Sequence, residues 1–295
     1  LGLTRIAATL DVPFGADFAD IFEVRGTRRE RRGQMMPASV ESRCVTLAYL
    51  GLDDTRRETA ISFSRTPEEV TPASARFELT LAPQETSEIL VSIACGKPAD
   101  PAGYDEAFHR STAMVATDKA RRADVITSNE QFNDWVKRSQ ADLRMMQTET
   151  PHGIYPYAGV PWFSTPFGRD GLITALEVLW IEPLLARGVP SYLAATQATV
   201  PRPDRDAEPG KILHERRGCE MAALGEIPFD RYYGSVDATP LFVMLAGAYY
   251  RRTGDRAFIE QIWPHVERAL EWIDRYGDMD GQLRGRFEFH PSWVV

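Results

Sequence analysis

The hydrophobic period of this chain changes once, near residue 100, and that change limits the fold more than any other feature. Before it, the runs 4–12, 43–50, 57–63, 75–81 and 87–94 are short, rich in branched and aromatic residues, and partly alternating, the pattern of half-buried strands. In ARFELTL, Phe77, Leu79 and Leu81 fall on one face and Arg76, Glu78 and Thr80 on the other. Turn formers at 51–54 and 82–84 separate the runs. The spacing predicts an N-terminal antiparallel β-sandwich over residues 1–100. A lectin-like face would need exposed aromatics gathered on these strands, so the domain reads as scaffold. A Pro/Gly/Asp-rich stretch, 97–103, marks the boundary, and a polar helix over 104–122 bridges onward within a linker segment 101–127. Residues 128–295 then read as helical. Ser128 to Gln131 has capping-box spacing, and Phe132, Trp135, Val136, Leu143 and Met146 recur near the helical period. Further helices are predicted over about 170–186, 191–199, 239–252 and 256–276, with a turn at Gly254-Asp255. The fold class is therefore multidomain α and β, a sandwich followed by an all-α domain without strands.

Charge and composition exclude several functions. The net charge of -8 over 295 residues opposes general nucleic-acid binding. The arginine runs at 28–32 and 121–122 read as solvated faces. Cys44, Cys95 and Cys219 are odd in number and lack metal-site spacing, so no disulfide framework is expected. Cys44 and Cys95 lie in strand runs and are expected to be small buried hydrophobes. No apolar run approaches the length of a membrane span, and no basic-then-apolar leader is seen. The expectation is a cytoplasmic protein with no membrane partner. His109, His152, His265 and His290 are scattered, and His214-Glu215-Arg216-Arg217-Gly218 lacks the second histidine of a zinc-protease helix. With no phosphate loop or dinucleotide fingerprint either, neither a metal nor a cofactor is expected.

Two long loops, 155–168 and 201–235, are unlike ordinary helix connections and too apolar for disorder. The first crowds Tyr155, Tyr157, Trp162, Phe163 and Phe167 together and ends on Arg169 and Asp170, where a helix is predicted to begin. Aromatic faces stack on sugar rings, while guanidinium and carboxylate groups hydrogen-bond sugar hydroxyls, so a carbohydrate pocket is one reading. Asp170 equally reads as a helix N-cap. In RYYGSVDATPLF, Asp237 follows Tyr232 and Tyr233 and precedes an apolar helix. A carboxyl desolvated by tyrosines could serve as a general acid, and a helix cap is again the structural alternative. Asp206, Glu208, His214, Glu215 and Glu220 supply further polar groups that could line a cleft.

FADIFEVRG (18–26), ITSNEQFNDW (126–135), PYAGVPWFSTPFGRDG (156–171), DAEPGKILHE (206–215) and YYGSVDATPLFVMLAGAYY (232–250) occur in that order. Together they resemble the amylo-α-1,6-glucosidase, or glycogen-debranching-like, family. The resemblance implies a debranching-enzyme β-domain followed by a glucoamylase-like (α/α)6 toroid acting on α-glucan or oligosaccharide. It implies that Asp237 is the general acid of an inverting hydrolysis. It implies substrate contacts from Tyr157, Trp162, Phe163, Arg169, Asp170, His214, Glu215, Tyr232 and Tyr233. The water-activating carboxylate belongs to a later part of such a toroid. The segment 281–295, GQLRGRFEFHPSWVV, departs from the family's pattern, and about half the toroid helices are counted, so an N-terminal portion is expected, without the base and hydrolytically inactive by itself. The alternatives are a disaccharide phosphorylase on the same toroid and a non-catalytic carbohydrate-binding or scaffold protein.

Overall fold

A computed structural model describes residues 3–119 and 123–277. The chain divides into two compact units, Leu1–Ala120 and Arg121–Val295, so the bridging helix falls with the first unit. Arg121-Arg122, the terminal segment 281–295 and His290 lie outside the described residues.

In the first unit, strands β1 (Ile6–Pro13), β2 (Gln34–Glu41), β3 (Cys44–Leu50), β4 (Arg56–Phe63), β5 (Glu69–Val70), β6 (Ser74–Leu81) and β7 (Val91–Cys95) form two antiparallel sheets, ordered β1-β6-β5 and β2-β3-β4-β7. The alternation in ARFELTL is realised: Ala75 and Phe77 point inward while Arg76 and Glu78 face out. Val45, Leu47, Ile61, Phe63, Ala75 and Phe77 share one core that joins the two sheets, the arrangement of a sandwich. Two strands escaped the sequence reading. β2 contains Pro37 and a register shift between Met36 and Ser39, which break its alternation, and β5 is only two residues long.

The basic run at 28–32 is not merely a solvated face. It follows the short helix α1 (Ile21–Val24), which Asp20 and Glu23 close with a capping box. Arg32 pairs with Glu23 at 3.3 Å, donates to the Asp17 carbonyl at 2.7 Å and lies over the Tyr49 ring. These contacts pin the connection before β2. Cys95 is exposed, contrary to expectation, because it ends its strand. Helix α2 (Tyr104–Lys119) completes the unit.

The second unit contains α3 (Glu130–Met146), the hairpin strands β8 (Gln147–Thr150) and β9 (Gly153–Pro156), then α4 (Gly168–Val178), α5 (Leu185–Thr196), α6 (Glu220–Ala223), α7 (Ala238–Thr253) and α8 (Arg256–Trp272). The hairpin corrects the expectation of a strandless domain. Tyr155, Leu172, Val189, Leu193, Phe242, Leu245, Phe258 and Ile262 share one core among β9, α4, α5, α7 and α8. The expected 170–186 helix is two helices, because Pro183 lacks an amide and disfavours helix at the residue before it. Conversely, α5 runs through Pro190, whose ring is buried; packing overrides the local preference there. The cap of α3 is Asn129, which accepts from the Phe132 amide at 3.1 Å, rather than Ser128. The spaced apolar residues of α3 do not make a core face, since Phe132 and Trp135 are 40% and 65% exposed and no residue of the helix is buried. No described helix is long and apolar enough to cross a membrane.

Candidate functional site

Both helix-cap alternatives fail on geometry. α4 begins at Gly168, with Phe167 in the cap position, so Asp170 lies inside the first turn. Asp237 does occupy the cap position of α7, yet its side chain makes no capping bond. The first free amide of that helix, Ala238 N, instead reaches Ser235 Oγ at 3.4 Å. Asp237 Oδ1 accepts from the Ser235 hydroxyl, and Oδ2 accepts from Arg169 Nη1 at 3.3 Å. Both carboxylate oxygens are thus held by side chains, and the group remains 40% exposed. The ion pair joins two sequence motifs 68 residues apart.

Backbone pairing brings the motifs together. Glu215 bridges to Phe167 on one side and to Tyr232 on the other. Gly168 N donates to His214 O at 2.8 Å, and His214 N donates to Tyr232 O at 2.8 Å. The Ile212 amide donates to Thr239 Oγ1 at 3.0 Å, fixing the start of α7 to the same segment. From the other side, the Tyr155 hydroxyl donates to Phe167 O at 2.8 Å. Burial pushes that hydroxyl well above the ordinary phenol range, so it stays a neutral donor.

His214 sits between the Phe167 and Tyr232 rings, edge-on to each at 5.7 and 6.0 Å. Burial, helped by the nearby Arg169 guanidinium and opposed by Asp170 and Asp237, pushes its imidazole down to about 4 from 6.5. The unfolded chain then takes up a proton at this residue below about pH 6.5, which the native state refuses until about pH 4. Stability is therefore complete above that window and falls on acidification through it, by about 3 kcal/mol from this residue. His214→Gln should flatten the difference in urea midpoint between pH 7 and pH 4.5. An unchanged slope would show that the imidazole is not held neutral.

The remaining site residues divide. Trp162 and Phe163 are 37% and 45% exposed, beside an edge-to-face contact of Phe163 with Phe167. Tyr157 packs against the helical core. The Tyr233 ring is in the core, and its hydroxyl donates to Thr196 O at 2.7 Å. Tyr232 is also buried, and its hydroxyl donates to Asp206 Oδ2 at 2.7 Å. The tyrosines therefore pin the loop that leads to Asp237 rather than drying its carboxyl. The Glu215 carboxylate is buried against Arg217, which also donates to Trp162 O at 3.0 Å. Sequence reasoning missed Ser235, Arg217 and Thr239. A signal for Arg217 was present, since residues two apart in an extended segment share a face. Among the described residues no group of three or more His, Cys, Asp or Glu could hold a metal ion.

Residues 1–92 match the family model of the N-terminal domain of (some) glycogen debranching enzymes. This portion of the chain is thus of the debranching type and points to a related glycosidase family. No curated protein matches the chain.

Proposed function

We propose that the protein is a glycoside hydrolase of the amylo-α-1,6-glucosidase type, cleaving α-glucosidic bonds in glycogen-like glucans or oligosaccharides with inversion. One observation carries the reading: Asp237 is relieved of helix capping and held against Arg169 where three distant segments meet. Asp237 gives its proton to the departing glycosidic oxygen as the C1–O bond breaks. Water adds to C1 from the opposite face and loses a proton to a carboxylate base, with the two carboxyls about 6.5–9.5 Å apart. A sugar hydroxyl that engages the Arg169 guanidinium frees Asp237 Oδ2 to carry the proton. Asp170, in the first turn of α4, orients that hydroxyl, and Trp162 and Phe163 stack on neighbouring sugar rings. Of the acids brought close by the loops, Glu215 is held by Arg217, Asp206 by Tyr232, and Glu208 by Trp272 Nε1 and Lys211, and the family resemblance implies a base from a later part of the toroid.

Arg169→Ala and Asp170→Ala test the reading. In a version of the protein that also carries the base, each should raise KM and lower kcat on an α-1,6-linked oligosaccharide, reducing kcat/KM roughly 10- to 100-fold, the worth of a charged hydrogen bond that tightens in the transition state. Wild-type kcat/KM in either variant would remove this pair from the sugar site.

A further inference from the structure

Among the described residues the two sheets of the sandwich end on the edge strands β1, β5, β2 and β7. An edge presents unpaired amides and carbonyls to any other strand, and proteins blunt it with prolines, bulges, charges or short length. β2 carries Pro37 and a register shift, β5 is two residues long, and β7 is five. β1 has none of these devices from Ile6 to Leu10. Its register with β6 is unbroken, and Asp11 and Pro13 come only at its end.

The ladder shows which groups of β1 are open. Phe14 N donates to Ala73 O at 2.9 Å, so the even-numbered residues of the strand point their backbone groups at β6. On β6, Arg76 O accepts from Glu68 N, and Glu78 N donates to Glu68 Oε2. These two residues thus turn their backbone groups away from their partners Asp11 and Thr9. Ala7, Thr9 and Asp11 therefore aim N–H and C=O groups outward from the edge. The side chains follow the pleat. Leu10 is opposite Phe77 and Ile6 opposite Leu81, on the core side of the sheet, yet they are 41% and 50% exposed. By the same alternation Arg5, Ala7, Thr9 and Asp11 lie on the other face. Among the described residues Arg5 has no acid partner, and Asp11 accepts from Arg76 Nε through Oδ1 alone, at 2.8 Å.

We propose that two copies of this chain pair their β1 strands antiparallel, about a twofold axis at Ala8. Facing residues must share a side of the pleat, which limits the registers available. With Ala8 on the axis, Ile6 faces Leu10 of the second copy and Arg5 faces its Asp11, with Cβ atoms about 4.5–5.5 Å apart. Ala7 and Thr9 then exchange two backbone hydrogen bonds, as do Arg5 and Asp11. An axis at Thr9 would set Arg5 against Pro13, which has no amide, and Ala7 against Asp11. An axis at Ala7 would set Asp11 against Leu3. The Ala8 register is the one that joins opposite charges on one face and large apolar residues on the other. Such a self-complementary contact closes at two copies.

Sedimentation velocity of the full chain from about 1 µM to 1 mM should show a monomer–dimer equilibrium with Kd of about 10–100 µM, the weak class expected of a small contact. Ala7→Pro removes an outward amide and leaves the β1–β6 ladder intact, so it should weaken the dimer at least about tenfold at unchanged Tm. Arg5→Glu and Asp11→Lys should each weaken self-association about tenfold, because like charges then face each other twice. Their equimolar mixture should recover the parent Kd, since both facing pairs are again of opposite charge. Both positions are exposed, so these variants decide the matter if Ala7→Pro lowers Tm. A monomer across the whole range would overturn the proposal, as would a dimer that a folded Ala7→Pro or the charge variants leave intact, or a mixture that does not recover. Protection of the Ala7 and Thr9 amides from hydrogen exchange in a monomer would mean that another segment of the same chain fills the edge, and equally overturns it.

Discussion

In a full-length version that also carries the base, Asp237→Asn is expected to lower turnover of α-glucosides with poor leaving groups by about 10²- to 10⁴-fold, the usual worth of a positioned general acid. Stability should hardly change. The Asp237 side chain caps nothing, and an asparagine is the same size and keeps an acceptor for either Ser235 or Arg169. Glucosides with activated leaving groups need less protonation and should be partly spared, so the ratio of the two activities is the readout. Loss of both to the same degree, together with a lower Tm, would mean that the residue holds the start of α7 rather than donating a proton. Binding of glucan to the variant, followed by retardation in a native gel, separates a chemical defect from a lost pocket.

Gly168→Ala should be among the most disruptive small substitutions in the chain. A Cβ there would lie 1.8 Å from the Leu213 carbonyl oxygen, and both partners are backbone, so no side chain can swing away. The same residue donates its amide to His214 O, which ties the start of α4 to the segment carrying His214 and Glu215. Relief requires that segment to move off, separating Arg169 from its surroundings. A loss of about 3 kcal/mol in urea denaturation is expected, with weakened glucan binding. Gly218→Ala is the control, since nothing lies within 4 Å of a Cβ there; it should fall within about 0.5 kcal/mol of the parent. Equal stability of the two variants would show that the contact at Gly168 is not enforced.

The two results bear on different links. Asp237 concerns chemistry at a carboxylate whose neighbours are side chains. Gly168 concerns the backbone pairing that delivers those neighbours. The debranching-type match over residues 1–92 speaks only for the sandwich, so the helical unit's role rests on these experiments.

Alternation was enough to predict the sandwich strands where it was clean: in ARFELTL the side-chain period of two assigns inward and outward faces without reference to anything distant. The same logic failed at β2, where a proline and a register shift disturb the alternation. It failed again at α3, where helical spacing promised a buried face that the fold leaves without a buried residue. The aromatic loop, Arg169 and Asp237 were visible as chemistry-bearing residues, because residue type and local crowding are properties of the chain itself. Their roles were not visible. Whether a carboxyl at a helix start caps the helix depends on which donor reaches it first through space. For Asp237 those donors are Ser235, two residues away, and Arg169, 68 residues away. Tyr232 and Tyr233 show the converse. Sequence placed them beside a carboxyl, and packing turned their hydroxyls to Asp206 and Thr196, since a buried phenol must find an acceptor wherever the fold supplies one. The local periods thus determined which stretches are strands and helices, and tertiary structure alone decided which polar groups meet, because partner choice is set by distances that no local pattern encodes.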